Sequence, residues 1–113
     1  ILISISIDDL PKNHAKIRKI PRLFEDAMKS YHALKNISKN VMVNIAITCS
    51  HENYKNVPKL YNELKNSYGV KSISANIVRD EGVYKIAKNK KKDILKAYTY
   101  LTEKILFIKL NLK

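Results

Sequence analysis

The chain has little of several things. Its 113 residues contain one cysteine and two glycines. A lone Cys49 excludes an internal disulfide, and it excludes any multi-thiolate metal or iron–sulfur site built from this chain by itself. With only Gly69 and Gly82, there is no glycine-rich loop to cradle a phosphate. No apolar run approaches the roughly 18 residues needed to cross a bilayer. The apolar start, Ile1 to Ile7, lacks the basic leader and small-residue cleavage site of a secretory signal. The expected compartment is therefore the cytoplasm. Arginine is scarce too: Arg18, Arg22 and Arg79 are the only three, so the net charge of +12 is nearly all lysine.

That charge bears on partners. A strong positive balance points to nucleic acid or another anionic surface. Readers of phosphates and bases lean on Arg forks, however, and here lysines are spread along helical stretches. The densest cluster runs from Lys85 to Lys92 through Lys88, Lys90 and Lys91, and reads either as an anion-binding face or as a solvated helix start. Nucleic acid is accordingly the alternative partner. The length allows one domain, and 45% apolar with 28% charged residues describes a folded chain.

Three segments alternate with a period of two. Ile1, Ile3, Ile5 and Ile7 oppose Leu2, Ser4, Ser6 and Asp8. Val41, Val43, Ile45 and Ile47 oppose Met42, Asn44, Ala46 and Thr48. Ile73, Ala75 and Ile77 oppose Ser72, Ser74, Asn76 and Val78. The spacing predicts strands near 1–8, 41–48 and 70–78, each with one apolar face and one face of small polar groups. Helical spacing predicts helices near 21–38, 54–67 and 91–108. Pro21 suits a first turn, and Phe24, Ala27, Met28, Tyr31, Leu34 and Ile37 form a stripe. Asn53 is a candidate cap for the second helix, which Pro58 moves toward Asn56. Gly69 reads as a stop before the third strand. The tail from Phe107 to Lys113 fits helix or strand.

Long helical crossovers require parallel strands. The fold class is therefore α/β, a parallel βαβαβα unit. A doubly wound sheet needs both strand faces apolar; here one face is polar throughout. A curved sheet with helices outside and Ser6, Asp8, Asn44, Thr48, Ser74 and Asn76 lining an interior satisfies the pattern. It makes the chain a single partial domain over 1–113. Three strands do not close a barrel, which takes about eight, or somewhat fewer with a cleft. A small α+β sheet with its polar face in water is the competing arrangement.

In parallel α/β folds, ligands meet the carboxyl ends of the strands. That selects Asp8, Asp9, His14 and Arg18 after the first strand. It selects Thr48, Cys49, Ser50 and His51 after the second, and Arg79, Asp80 and Glu81 after the third. Arg18 is suited to a bidentate clamp on a carboxylate or phosphate; otherwise it would pair on the surface with Asp9 or Glu25. Ser6 and Asp8 can hydrogen-bond sugar hydroxyls, while Asp8 could equally cap a turn. Cys49 beside His51 suggests a thiol nucleophile, but no orienting group or oxyanion hole is visible, and a small buried residue is the plainer reading. His14, His32 and His51 lack metal-ligand spacing.

Three stretches, in order, resemble the middle of radical S-adenosylmethionine (SAM) enzymes. They are Ser4-Ile5-Ser6-Ile7-Asp8-Asp9 followed by His14-Ala15-Lys16-Ile17-Arg18, Pro21 and Phe24-Glu25; Asn44 to Thr48 with Glu52-Asn53-Tyr54; and Ser74-Ala75-Asn76-Ile77-Val78-Arg79. In that family a strand ending S-x-D-G precedes H-D-x-x-R-G and a helix. The resemblance implies part of a (β/α)6 partial TIM-type barrel that binds SAM and a [4Fe–4S] cluster, which cleaves SAM to a 5′-deoxyadenosyl radical. It carries SAM contacts onto Ser6, Asp8 and Arg18, and adenine contacts onto Asn76 or Val78. It also implies a peptide as a possible substrate class.

The departures from that family are specific. Asp9 replaces the glycine of S-x-D-G, Ala15 the Asp of H-D, and Lys19 the glycine after Arg18. Neither the C-x-x-x-C-x-x-C loop nor the G-G-E-P segment is present. The expectation is therefore a fragment of a radical SAM core, inactive alone, whose partner is a missing amino-terminal half of the barrel. A non-catalytic remnant is the other outcome. The start at Ile1, mid-strand and without an initiator Met, agrees with a piece of a longer protein.

Overall fold

The computed structural model describes residues 1–78 and 88–111, with side chains described over 1–78 and 91–106. Its strands are β1 (Leu2–Ser6), β2 (Met42–Cys49) and β3 (Ile73–Ile77). Its helices are α1 (Pro11–Arg18), α2 (Leu23–Lys35), α3 (Val57–Asn66) and α4 (Lys88–Asn111). The strands form one parallel sheet in the order β1-β2-β3, with Leu2 opposite Met42, Ser6 opposite Ala46 and Thr48 opposite Asn76. This is the α/β architecture expected from the period-two segments, as an open sheet.

Consecutive strands that are also neighbours, joined by right-handed crossovers, place every helix on the same side. Burial along β2 records this: Val43, Ile45, Ile47 and Cys49 are buried, while Met42, Asn44, Ala46 and Thr48 are not. The core joins those residues to Phe24, Met28 and Tyr31 of α2, Val57, Leu60, Tyr61 and Leu64 of α3, and Ile94, Ala97 and Leu101 of α4. α4 packs on β3 and β2, α2 on β2, α3 against α4 and α1 against α2. The opposite face of the sheet carries no helix among the described residues.

Several boundaries differ from the expectations. The crossover between β1 and β2 holds two helices, and α1 was not anticipated. It has Pro11 in its first turn, while its only fully buried residue is His14, so no apolar stripe marks it. Pro21 does not open α2; it lies in the elbow before Arg22, the residue preceding that helix. Ile37 falls beyond α2 and is exposed, and so is Ile1. α4 runs from Lys88 to Asn111, longer than the expected 91–108. α3 begins at Val57 with Pro58 in its first turn, and Gly69 adopts a left-handed φ of 64° before β3. No described helix is long and apolar enough to cross a membrane.

Candidate functional site

The carboxyl ends of β1 and β2 are stitched together by a set of polar side chains, several of them buried. Asn53, almost wholly buried, donates from Nδ2 to the Asp8 carbonyl at 2.5 Å and to the Thr48 carbonyl at 2.8 Å. Its Oδ1 accepts the Ser50 N–H at 2.8 Å. One amide thus satisfies backbone groups on both strands that would otherwise be orphaned. Asp9, fully buried, accepts the Leu10 N–H at 2.7 Å and the Asn56 amide at 3.1 Å, and also pairs with Asn13. All of its donors are neutral.

Asp8 is the hub. Its Oδ2 accepts from Arg18 Nε at 2.8 Å and Nη2 at 2.6 Å, and its Oδ1 lies 3.4 Å from the Thr48 N–H. The Arg18 side chain is 42% exposed and that of Asp8 only 8%. The guanidinium is therefore anchored on one edge, with donors left over to face solvent. The Asp8 N–H donates to His14 Nδ1 at 3.2 Å, which places the imidazole proton on Nε2. Nε2 is buried without a partner, and the ring meets Phe24 edge-on at 6.5 Å between centroids. Burial holds the His14 pKa below its ordinary 6.5. Asp8, Asp9 and Glu25 oppose that shift and Arg18 adds to it.

The helix-free face of the sheet is layered. At the amino-terminal ends Leu2 and Met42 lie opposite each other, 67% and 63% exposed. Above them Asn44 bridges the strands. Its Nδ2 donates to Ser74 Oγ at 2.9 Å and Ser4 Oγ at 3.3 Å, and its Oδ1 accepts from Ser72 Oγ at 2.8 Å. Next come Ser6 beside Ala46, and then Thr48 beside Asn76. Ser6 and Asn76 are exposed and Val78 is half-buried. The Val78 N–H bonds the Cys49 carbonyl at 3.0 Å, continuing the strand pairing.

The residues singled out from sequence therefore divide. Ser6, Asn76 and Val78 lie on the helix-free face by strand alternation, while Arg18 pairs with Asp8, which is 6% exposed and engaged by that pair and the Thr48 N–H. Arg18 pairs with Asp8, not with Asp9 or Glu25, and Asp8 caps no turn. Cys49 is buried in the helix-side core, and burial, reinforced by Asp8, pushes its thiol up to about 12. His51 is exposed and lies 4.0 Å from Glu52, so the thiol-nucleophile reading has no support. No group of three metal-ligating residues occurs among the described residues. Arg79, Asp80, Glu81, Gly82 and Lys85 lie outside the described residues. The roles of Asn53, Asn13 and Asn56 were missed. The one signal for them was an excess of Asn and Asp just after the two strands, where such side chains close turns.

Comparison of the chain with protein-family models, with curated proteins and with solved structures gives no match in any of the three.

Proposed function

We propose that this chain is the carboxyl-terminal part of a radical SAM core, contributing one wall of the SAM pocket. The observation that supports this most directly is the layering of the open sheet face. Apolar Leu2 and Met42 lie at the bottom, small polar groups above them, and an anchored arginine at the carboxyl-terminal rim. A polar face facing bulk water needs no apolar pair at its base. The interior of a β/α barrel does, because its lower layers are packed and its ligands sit at the top. The outer edge of β1, unpaired among the described residues, is where further strands would continue.

The donor set fits SAM. The spare N–H groups of Arg18 suit the methionyl carboxylate, and the Ser6 hydroxyl suits a neighbouring polar group. The exposed amide of Asn76 and the apolar Val78 suit an adenine edge and face. Asp8 is a positioning residue: it holds Arg18 and takes no ligand itself. When bound, SAM supplies the 5′-deoxyadenosyl group for radical chemistry. The described residues do not fit an iron–sulfur cluster, since Cys49 is the chain's one thiol and is buried on the helix side. No step through a cluster is assigned to this chain. Calorimetric titration of SAM into the complete protein tests the reading. Arg18→Ala should weaken binding by about tenfold, the worth of one charge-assisted contact. Unchanged affinity would remove Arg18 from the site.

A further inference from the structure

The connector between β1 and β2 carries a feature that the SAM reading does not use. Residues 11–22 contain five cations, Lys12, Lys16, Arg18, Lys19 and Arg22, and no acid. Arg18 turns in to Asp8. The other four are exposed, and none makes an ion pair among the described residues. Lys12 and Lys16 are spaced to fall on one face of α1, Lys19 follows as its left-handed carboxyl-terminal cap, and Arg22 precedes α2. In α2 and α3 the signs interleave, as with Glu25, Asp26 and Lys29 or Lys59, Glu63 and Lys65, whereas α4 opens on a lysine run of its own, Lys88, Lys90, Lys91 and Lys92, before Asp93.

Two of these cations sit where the backbone disfavours any side chain. Lys19 and Arg22 both have φ of 60°, the left-handed region in which glycine alone is unstrained. Between them Ile20, 51% exposed, and Pro21 form the tip of the elbow. Neither of these two strained cations makes an ion pair among the described residues, so both charges are open to an external partner. The same segment has no exposed aromatic ring, so it offers no platform on which nucleic-acid bases could stack.

We propose that Lys12, Lys16, Lys19 and Arg22, with Ile20 at their tip, dock an acidic peptide segment that carries an apolar residue among its carboxylates. Complementary charge supplies the attraction and Ile20 the single desolvated contact. None of these residues is assigned to SAM, so this proposal and that one stand or fall separately.

The test is anisotropy of a labelled oligoglutamate peptide with one central Leu, titrated with the complete protein. Combined Lys16→Glu, Lys19→Glu and Arg22→Glu should weaken binding by about tenfold or more, because rim charges would then repel the peptide. Lys29→Glu, Lys39→Glu and Lys59→Glu, the same charge change on other exposed sites, should shift it by less than about twofold. Circular dichroism checks each variant, and glutamine replacements at the same positions serve if a charge reversal unfolds the chain. Equal losses in the two triple variants would overturn the proposal, since bulk charge would then explain binding. So would no binding by the native chain. Displacement of the peptide by oligouridylate RNA at lower concentrations than unlabelled peptide would assign the surface to nucleic acid instead.

Discussion

Replacing Asn53 by Ala is the sharpest test of how the site is held. The amide makes three hydrogen bonds to backbone groups, at 2.5, 2.8 and 2.8 Å, in a position that is 1% exposed. Each is worth about 1 kcal/mol net, and leaving a buried partner unpaired adds to that. The expected loss is about 3 kcal/mol, a large share of the roughly 5–15 kcal/mol by which a domain is stable. At about 4 °C per kcal/mol for a domain near this size, the melting temperature should fall by ~12 °C. Asn53→Asp separates hydrogen bonding from shape. It keeps an acceptor for the Ser50 N–H but sets carboxylate oxygen against the Asp8 and Thr48 carbonyls. It should be at least as destabilising as Ala at neutral pH and recover in acid, when the carboxyl can donate. Urea unfolding followed by circular dichroism at two pH values measures both variants. A loss below about 0.5 kcal/mol for Asn53→Ala would refute the clamp, since that is the range of ordinary surface substitutions.

Three other outcomes follow from the same region. His14 is held neutral, with its pKa below 6.5, so the unfolded chain takes up the proton first. Stability should therefore be full above about pH 6.5 and decline as pH falls toward the lowered folded value, because protonation of Nδ1 also breaks its bond from the Asp8 N–H. His14→Gln should flatten that slope in urea titrations, whereas His51→Gln should leave it intact. Cys49, with its thiol pushed up to about 12, should resist a disulfide reagent at pH 8 in the native state and react on addition of denaturant; prompt native labelling would contradict its burial. Lys19→Gly should raise stability by about 0.5–1 kcal/mol by relieving the left-handed strain, read as a higher melting temperature; a lower one would contradict the strain.

The strands were legible because side-chain alternation is a local signal that one-sided burial preserves. The polar column of Ser6, Asn44, Thr48, Ser74 and Asn76 also told correctly which face the helices would leave bare, whereas Asp8, expected to line the same face, is buried in its pair with Arg18. α1 was not legible because it is short and buries a histidine in place of an apolar stripe. Arg18 was found, but its partner was not. Asp8, Asp9 and Glu25 lie at similar sequence distances, and only the path of α1 decides which carboxylate the guanidinium meets. Asn53 was read as a helix cap. The turn over residues 51–56 carries its amide back to the strand ends, a tertiary placement that no spacing rule encodes. Of the two positions where the radical SAM pattern would carry glycine, Lys19 has a positive φ and Asp9 does not. Lys19 follows Arg18 in the left-handed conformation that a glycine would take without strain.

The central claim is that the bare sheet face is one wall of a SAM pocket completed by other polypeptide. The intact mass and amino-terminal sequence of the protein from its native cell test it most directly. The account predicts a longer polypeptide with three clustered cysteines upstream of Ile1. A native chain beginning at or near Ile1 would leave the cluster without ligands and would contradict it.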